Sequence, residues 1–170
     1  MLISLSDLLN RPGIETLLKE FKCKNADVEG FLHKKALKLE ASHHTRTYIL
    51  FSQDYRIEGF FSLALNILET RGLSKTLIKK LSTSHNPNLE RLPCIMLGQL
   101  GKDNRSTISG SKILQDAIFV IMEGQKYFGG KFVLLDSVDI PKVIKFYEEH
   151  FFKALPIDNN GLIRMVRFLD

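Results

Sequence analysis

Apolar residues recur at helical spacing in five stretches of the chain, and the longest of these covers residues 111–127. There the apolar side chains return about one turn apart, as on the buried face of an amphipathic helix. Gly129 and Gly130 follow this stretch and are typical of a helix end. Pro12-Gly13 precedes the first of the shorter stretches, and Asn25 or Asp27 is expected to cap the second. The shorter helices are predicted over residues 14–21, 28–39, 73–81 and 140–151.

Short runs rich in β-branched and aromatic residues predict six strands between these helices. The run at 93–101 is apolar throughout its first half, so we expect it to be buried on both faces. A helix separates it from the next run, which predicts a parallel pair joined by a crossover. The strands are predicted over residues 46–51, 57–65, 93–101, 131–135, 152–155 and 162–169. This order indicates a single α/β (α+β) domain over residues 1–170, with a mixed sheet and helices on its faces.

Charge narrows the classes of partner. The formal net charge is +5 and the pI is about 9.2, which favours nucleic acid, a phosphorylated cofactor or an acidic protein. A basic solvated surface without a specific partner is the plain alternative. No apolar run approaches the roughly 20 residues that cross a bilayer, and the N-terminus does not resemble a secretory signal. We therefore expect a cytoplasmic protein that does not engage a membrane.

Cysteine and histidine give no metal-ligand spacing. Cys23 and Cys94 lie far apart, and Cys94 falls within the apolar run, so we expect it to be a buried thiol. His43 and His44 are adjacent, and adjacent residues do not share one face of a helix or strand. We expect no bound metal.

A strand, a polar loop, a glycine and a helix follow one another from residue 93 to residue 117. This order presents backbone N–H groups and a helix N-terminus to a phosphate, and it suggests a nucleotide or coenzyme pocket. Such units are common in α/β proteins. The irregular segment 66–92 carries much of the local positive charge, including Lys75, Lys79 and Lys80. It is either a solvated excursion or one wall of a site for an anionic acceptor.

Several patches in a fixed order carry a resemblance that covers nearly the whole chain. They are FKCKNADVEGFLHKKA, TRTYILF, IEGFFSLAL, LPCIMLGQLGKD, SGSKILQDA, FGGKFVLLD and IKFYEEHFF. Together they resemble the GNAT superfamily of acyl-CoA-dependent N-acyltransferases. The first patch and the LGQLGKD strand most resemble the branch that includes toxins of bacterial toxin–antitoxin pairs, which acetylate the amino group of aminoacyl-tRNA. The resemblance implies a mostly antiparallel sheet with one splayed parallel pair, acetyl-CoA as co-substrate and an antitoxin protein as partner.

The coenzyme motif of that superfamily, Q/R-x-x-G-x-G/A, matches this chain only at its ends. Arg105 takes the first position and Gly110 the last, while Ile108 stands at the first glycine. A β-branched residue there disfavours a positive φ and a close backbone approach. The resemblance implies that the preceding strand holds the pantetheine arm and that the loop binds the pyrophosphate. The implied coenzyme-binding residues are Leu97, Gln99, Leu100, Gly101, Arg105, Ser106, Thr107, Ile108, Ser109, Gly110 and Ser111.

Phe146-Tyr147-Glu148-Glu149 resembles the superfamily's FYEK, in which the tyrosine protonates the departing thiolate. Tyr147 is thus the implied general acid, and a packed amphipathic tyrosine is the alternative. Phe151 stands where the superfamily usually has glycine. No side chain stands out as a general base, although Glu40, Glu58 and Asp139 are weak candidates. The residues expected to meet the acceptor are Arg46, Tyr48, Phe60, Lys75, Lys79, Lys80 and Arg91.

Three functions therefore stay open from the sequence. The first is an acetyl-CoA-dependent N-acetyltransferase acting on aminoacyl-tRNA. The second is the same chemistry on a small amine or a peptide. The third is a GNAT-fold binding module without transfer activity. Phe168 and Leu169 are expected to be exposed on the final hairpin, where they would favour a homodimer.

Overall fold

The computed structural model describes residues 1–169, and these form a mixed seven-stranded sheet with helices. The strand order is β1-β2-β3-β4-β5-β7-β6, and only β4 and β5 run parallel. The strands are β1 (Leu2–Ser4), β2 (Arg46–Phe51), β3 (Ile57–Glu69), β4 (Arg91–Lys102), β5 (Phe132–Val138), β6 (Lys153–Ala154) and β7 (Leu162–Phe168). The helices are a 3₁₀ turn (Leu5–Leu8), α1 (Ile14–Lys19), α2 (Ala26–Lys34), α3 (Ala36–Ala41), α4 (Lys75–Leu81), α5 (Gly110–Phe128) and α6 (Pro141–Glu148). The predicted fold class, mixed and mostly antiparallel, is confirmed.

The main differences from the sequence prediction concern the second predicted helix and strands β1 and β3. The helix expected over residues 28–39 is two helices, because φ widens to −117° at Lys35 and interrupts the regular backbone. Strand β3 continues four residues past the predicted end, to Glu69. The short strand β1 is new, and it pairs with β2 from Leu2–Leu50 to Ser4–Tyr48. The predicted cap is confirmed, since the Asn25 side chain accepts hydrogen bonds from the N–H groups of Asp27 and Val28.

The chain groups into two compact units that are interleaved in sequence. Unit 1 comprises Met1–Ala64 and Leu97–Val120, and unit 2 comprises Leu65–Met96 and the chain from Ile121 onward. The boundaries fall inside β3, β4 and α5, so these elements supply residues to both units. The single domain expected over residues 1–170 stays a prediction.

Aromatic packing dominates the core of unit 1. The Phe60 ring meets Phe21 edge-on at 5.2 Å and stacks on Phe31 at 6.2 Å. Glycine is required at position 101, because an added Cβ would lie 2.7 Å from the Phe60 ring and 2.8 Å from Val28. The other buried apolar residues of this core are Leu5, Leu8, Ile14, Leu18, Leu32, Ala36, Ile49, Phe51 and Ile57.

The core of unit 2 lies on the paired strands β5 and β7. They pair antiparallel over seven residues, from Phe132–Phe168 to Val138–Leu162. Cys94 is a buried, free thiol, as predicted. The core of unit 2 also contains Leu68, Leu81, Leu92, Phe132, Leu134, Leu155 and Val166.

The prediction that Phe168 and Leu169 are exposed on the final hairpin is wrong. Phe168 and Leu169 are both half-buried. The Lys80 ammonium covers the Phe168 ring at 5.0 Å from its centroid, and the Leu169 N–H donates to the Lys131 carbonyl at 2.9 Å. These contacts remove the observation that favoured a homodimer. Within residues 1–169, no helix has both the length and the apolar character that crossing a bilayer requires.

Candidate functional site

The turn at the end of β4 is built around the carboxylate of Asp103. This side chain is only 1% exposed. It accepts hydrogen bonds from the N–H groups of Lys22 and Arg105, each at 2.9 Å. The Asp103 N–H itself donates to the Glu58 carbonyl at 3.0 Å. The carboxylate therefore joins the link between α1 and α2 to the loop that precedes α5.

Arg105 is held by the same carboxylate. Its Nε donates to Asp103 Oδ1 at 2.9 Å, and its Nη2 donates to Asp103 Oδ2 at 3.2 Å and to the Glu20 carbonyl at 3.1 Å. Burial alone would raise the pKa of Asp103, but the hydrogen bonds from Arg105 and Lys22 hold that pKa below its usual value. Two of the three guanidinium nitrogens are thus engaged within the protein, which limits what Arg105 offers to a pyrophosphate.

The loop does not need a glycine at position 108. The positive-φ residues within 1–169 do not include Ile108. The Ile108 N–H donates to Ser106 Oγ at 3.3 Å, and that hydroxyl donates to the Glu58 carboxylate. A β-branched residue is therefore accommodated here without a left-handed backbone. Backbone strain is thus no obstacle to isoleucine at this position.

Helix α5 begins at Gly110 with Ser109 as its cap. Ser109 Oγ accepts a hydrogen bond from the Lys112 N–H at 3.1 Å. Within unit 1, the N–H groups of Gly110 and Ser111 have no hydrogen-bond partner. The first turn therefore presents free donors and the positive end of a 19-residue helix, an arrangement that suits an anion.

The predicted strand residues that precede this loop differ in exposure. Leu97 is buried, Gln99 and Leu100 are half-buried, and Gly101 is packed against Phe60. Their side chains offer little to a ligand. Any contact with a pantetheine arm would use their backbone groups.

Tyr147 lies on α6 in an aromatic cluster of unit 2. Its ring meets Phe146 at 5.1 Å and Phe152 at 5.7 Å, both edge-on. Burial raises the pKa of Tyr147 to about 12. Among the described residues of unit 2, none forms a hydrogen bond with the hydroxyl. The phenol therefore stays protonated at physiological pH and is able to donate to a ligand.

A cleft of about 810 Å³ opens on the surface of unit 2, and we call it the basic cleft. Its lining is rich in cations, and among residues 1–169 it contains no carboxylate. It is lined by Thr76, Lys79, Lys80, His85, Lys131, Phe151, Arg167 and Phe168. Of the predicted acceptor residues, the structure places Lys79 and Lys80 here. Lys75 is exposed at the start of α4 and is not part of the lining, and Arg91 forms a surface ion pair with Glu69 at 2.9 Å.

Three other predicted acceptor residues have structural partners. Phe60 is fully buried in the core of unit 1, so its assignment as a lining residue was wrong. Arg46 Nη1 donates to Glu40 Oε1 at 2.9 Å, and the fully buried Glu40 also accepts from the Thr47 N–H at 2.7 Å. Tyr48 is half-buried and stacks on Phe61 at 5.2 Å.

These contacts also bear on the weak candidates for a general base. Glu40 accepts hydrogen bonds from Arg46 and Thr47, and Glu58 accepts a hydrogen bond from the Ser106 hydroxyl. Asp139 is exposed. Among residues 1–169, no three His, Cys, Asp or Glu side chains come together in a way that could hold a metal ion.

Known structures resemble this chain over nearly its whole length. A chain described as a bacterial toxin superposes with a TM-score of 0.75 at 19% identity, covering 99% of this chain and 90% of its own. A mutant of KacT gives 0.72 at 20% identity, covering 96% and 93%. AtaT complexed with acetyl-methionyl-tRNAfMet gives 0.69 at 21% identity, covering 86% and 85%. The chain has the GNAT fold.

The GNAT fold confirms the architecture expected from the sequence patches. At identities near 20%, this likeness concerns the fold alone. No protein-family model matches the sequence, and no curated protein matches it. The chemistry of this GNAT-fold chain must therefore be argued from its own residues.

Proposed function

We propose that this chain is an N-acetyltransferase that uses acetyl-CoA to acetylate a primary amine, in the manner of a toxin acting on aminoacyl-tRNA. The observation that carries the proposal is Tyr147, a protonated phenol on α6 whose hydroxyl bonds to none of the described residues of its unit. A phenol in that state is equipped to protonate a departing thiolate. Structures of AtaTR with bound AcCoA and of AtaT with an acetylated tRNA support the choice of coenzyme and acceptor.

Acetyl-CoA supplies the acetyl thioester. The free N–H groups of Gly110 and Ser111 suit its pyrophosphate, with the hydroxyls of Ser106 and Thr107 nearby in sequence. Backbone N–H groups between Leu97 and Leu100 stabilise the negative charge that develops on the thioester oxygen. As the amine nitrogen bonds to the carbonyl carbon and the C–S bond breaks, Tyr147 gives its proton to the sulfur. The amine proton passes to solvent, and Tyr147 regains its proton from solvent.

The engaged carboxylates favour an acceptor that needs little help to lose its proton. Glu40 and Glu58 are both held by hydrogen bonds within the protein. A free α-amino group has a reference pKa of about 7.7–8.0, against about 10.4 for lysine. The α-amine of aminoacyl-tRNA belongs to the first class, and the basic cleft provides cations for its phosphates. A small α-amine or a peptide N-terminus is the second candidate acceptor.

An antitoxin is the expected protein partner, since AtaT has been solved with part of the antitoxin AtaR and KacTA has been solved with DNA. The proposed compartment is the cytoplasm, where aminoacyl-tRNA is found. Induction of the chain without its antitoxin is then expected to stop growth. Normal growth, with the intact protein present at high level, would contradict the toxin assignment.

The deciding experiment incubates the protein with labelled acetyl-CoA and either total aminoacyl-tRNA or a set of small amines. Acetylated aminoacyl-tRNA is the expected product, and Tyr147→Phe should lower turnover about 10²- to 10⁴-fold with coenzyme affinity unchanged. Label on small amines alone would move the assignment to the second acceptor. Calorimetry that detects no binding at millimolar acetyl-CoA would leave only a GNAT-fold binding module.

A further inference from the structure

The basic cleft brings four cationic side chains of unit 2 to one surface. Lys79, Lys80, Lys131 and Arg167 line it together with His85, and none of its lining residues is acidic. Like charges gathered in one cleft repel one another, and this repulsion is relieved when an anion binds. The volume of about 810 Å³ lies within the range of ligand-binding clefts.

Arg167 differs from the other cations of the cleft because its charge is partly buried. Burial lowers its pKa, and within residues 1–169 no carboxylate pairs with it to offset the lowering. Its Nη1 donates to the His150 carbonyl at 3.2 Å, which fixes the guanidinium but does not neutralise it. The neighbouring arginine on the same strand, Arg164, is instead paired with Asp136 through two bonds of 2.8 and 2.9 Å. Arg167 is thus a partly dehydrated cation, and an anion bound beside it would be stabilised by its charge.

Phe151 adds an aromatic surface to this charge. Its side chain is 76% exposed, and its backbone is left-handed with φ of 68°. A non-glycine residue in that conformation is strained. Its neighbour Phe152 is buried, so the same turn directs one ring into the core and leaves the other in solvent. The Arg167 guanidinium lies 5.6 Å from the centroid of the exposed ring.

Two lysines are also fixed around the cleft. The Lys131 ammonium donates to the Ser82 carbonyl at 2.9 Å, and the Lys80 ammonium lies over the Phe168 ring at 5.0 Å. Fixed side chains lose little conformational entropy when a ligand binds. Cations with an adjacent exposed aromatic ring are the means by which proteins hold unpaired nucleotides, since phosphates meet the cations and a base stacks on the ring.

We propose that the basic cleft binds an unpaired nucleic-acid strand, with its phosphates at Lys79, Lys131 and Arg167 and one base stacked on Phe151. A duplex hides its base faces, so the exposed ring favours a single strand over paired nucleic acid. The proposal deepens the proposed function and rests on it only for the identity of the strand, which would be the unpaired end of an aminoacylated RNA. An acidic peptide would use the cations without needing the ring.

The test is fluorescence anisotropy of the full chain with a labelled single-stranded RNA of eight nucleotides, without acetyl-CoA. Phe151→Ala is expected to weaken binding about 5- to 150-fold, which corresponds to the 1–3 kcal/mol typical of one stacked base, and Phe151→Tyr should restore it. Lys79→Gln should reduce the slope of log K against log salt by about 0.7. The matched control Lys142→Gln alters an exposed lysine outside the cleft and should change neither quantity.

Competition experiments measure the preference of the cleft for a single strand. The single strand should compete better than a duplex of the same length or a polyglutamate of the same charge. Equal competition by polyglutamate, or Phe151→Ala binding as tightly as wild type, would overturn the proposal. Because acetyl-CoA is absent, a chain that binds RNA but transfers no acetyl group overturns the proposed function alone. A chain that acetylates amines but does not bind the RNA overturns the cleft proposal alone.

Discussion

Asp103 Oδ1 lies 2.9 Å from the Nε of Arg105, and this pair closes the turn in which β4 ends. The aspartate is buried, while about half of the arginine side chain is exposed. The carboxylate also accepts the Lys22 N–H from a part of the chain 81 residues away. The loop before α5 is therefore shaped by one ion pair and not by a run of glycines.

Replacing Asp103 by Asn should destabilise the protein by about 2 kcal/mol, because charge-assisted bonds to Lys22 and Arg105 are weakened. Acetyl-CoA affinity should fall with it, since the loop loses its fixed shape. Chemical denaturation and calorimetry measure the two effects. Asn104→Ala is the matched control, because the Asn104 bond to the Lys22 carbonyl uses only its backbone N–H.

The same variant also makes a prediction about pH. Since the pKa of Asp103 is lowered in the folded protein, its contribution is present above the ordinary aspartate pKa and is lost as pH falls through the lowered one. Wild type and Asp103→Asn should therefore converge in stability as the solution becomes more acidic than about pH 4. A constant difference down to pH 2 would show that the carboxylate charge is not the cause.

Tyr147 predicts the alkaline side of the pH–rate profile. With its pKa raised to about 12 by burial, it remains a proton donor throughout the accessible range. For an α-amine acceptor, kcat/KM should rise to about pH 8, as the amine loses its proton, and then stay level to about pH 10. A decline with a midpoint near pH 9 would assign the proton donor to another group. The raised pKa also means that stability from this partly buried phenol is present below pH 10 and is lost as pH rises towards 12.

Replacing Ile108 by the glycine of the coenzyme motif should improve neither stability nor acetyl-CoA binding. The residue does not adopt a positive φ, so glycine would relieve no strain and would add freedom to the unfolded chain. We expect Ile108→Gly to lower stability by about 1 kcal/mol without tightening acetyl-CoA binding. Ile108→Ala separates the two causes, since it removes most of the side chain but little backbone restriction. Tenfold tighter binding by Gly but not by Ala would contradict this view of the loop.

Arg46 should behave as a structural partner of Glu40. Glu40→Gln removes the charge from a fully buried group that accepts hydrogen bonds from Arg46 and Thr47. We expect a loss of about 2 kcal/mol in the free energy of unfolding, with KM for the acceptor unchanged at a temperature where the variant is folded. A raised KM with unchanged stability would return Arg46 to the acceptor site.

The sequence predicted those helices and strands that are long enough to show a repeating pattern of apolar residues. Helix α5 repeats its apolar stripe over several turns, and the Asn25 cap depends on residues two and three positions away. The three residues of β1 carry no period, and the interruption at Lys35 leaves the apolar spacing intact. Phe60 was misassigned because β3 is buried on both faces there, so alternation could not tell a lining side from a core side.

The candidate sites likewise divide into one that is local in sequence and one that is not. The loop from Arg105 to Ser111 is contiguous, so its position before a helix could be predicted from the sequence. The basic cleft joins α4, the start of β5, the end of α6 and the end of β7. Nothing in the spacing of Lys131, Phe151 and Arg167 indicates that they share a surface. Their proximity follows from the antiparallel pairing of β7 with β5 on one side and with β6 on the other.

The interleaving of the two units has a consequence for how the chain is made on the ribosome. Unit 1 needs residues 97–120 as well as residues 1–64, so its first part emerges without the strand end and helix start that complete it. At typical synthesis rates of about 5–20 residues per second, the 56 residues from 64 to 120 take roughly 3–11 s to appear. During that interval the aromatic residues around Phe60 lack the Gly101 backbone that packs against them. A nascent chain is then open to capture by chaperones and proteases before the loop that precedes α5 exists.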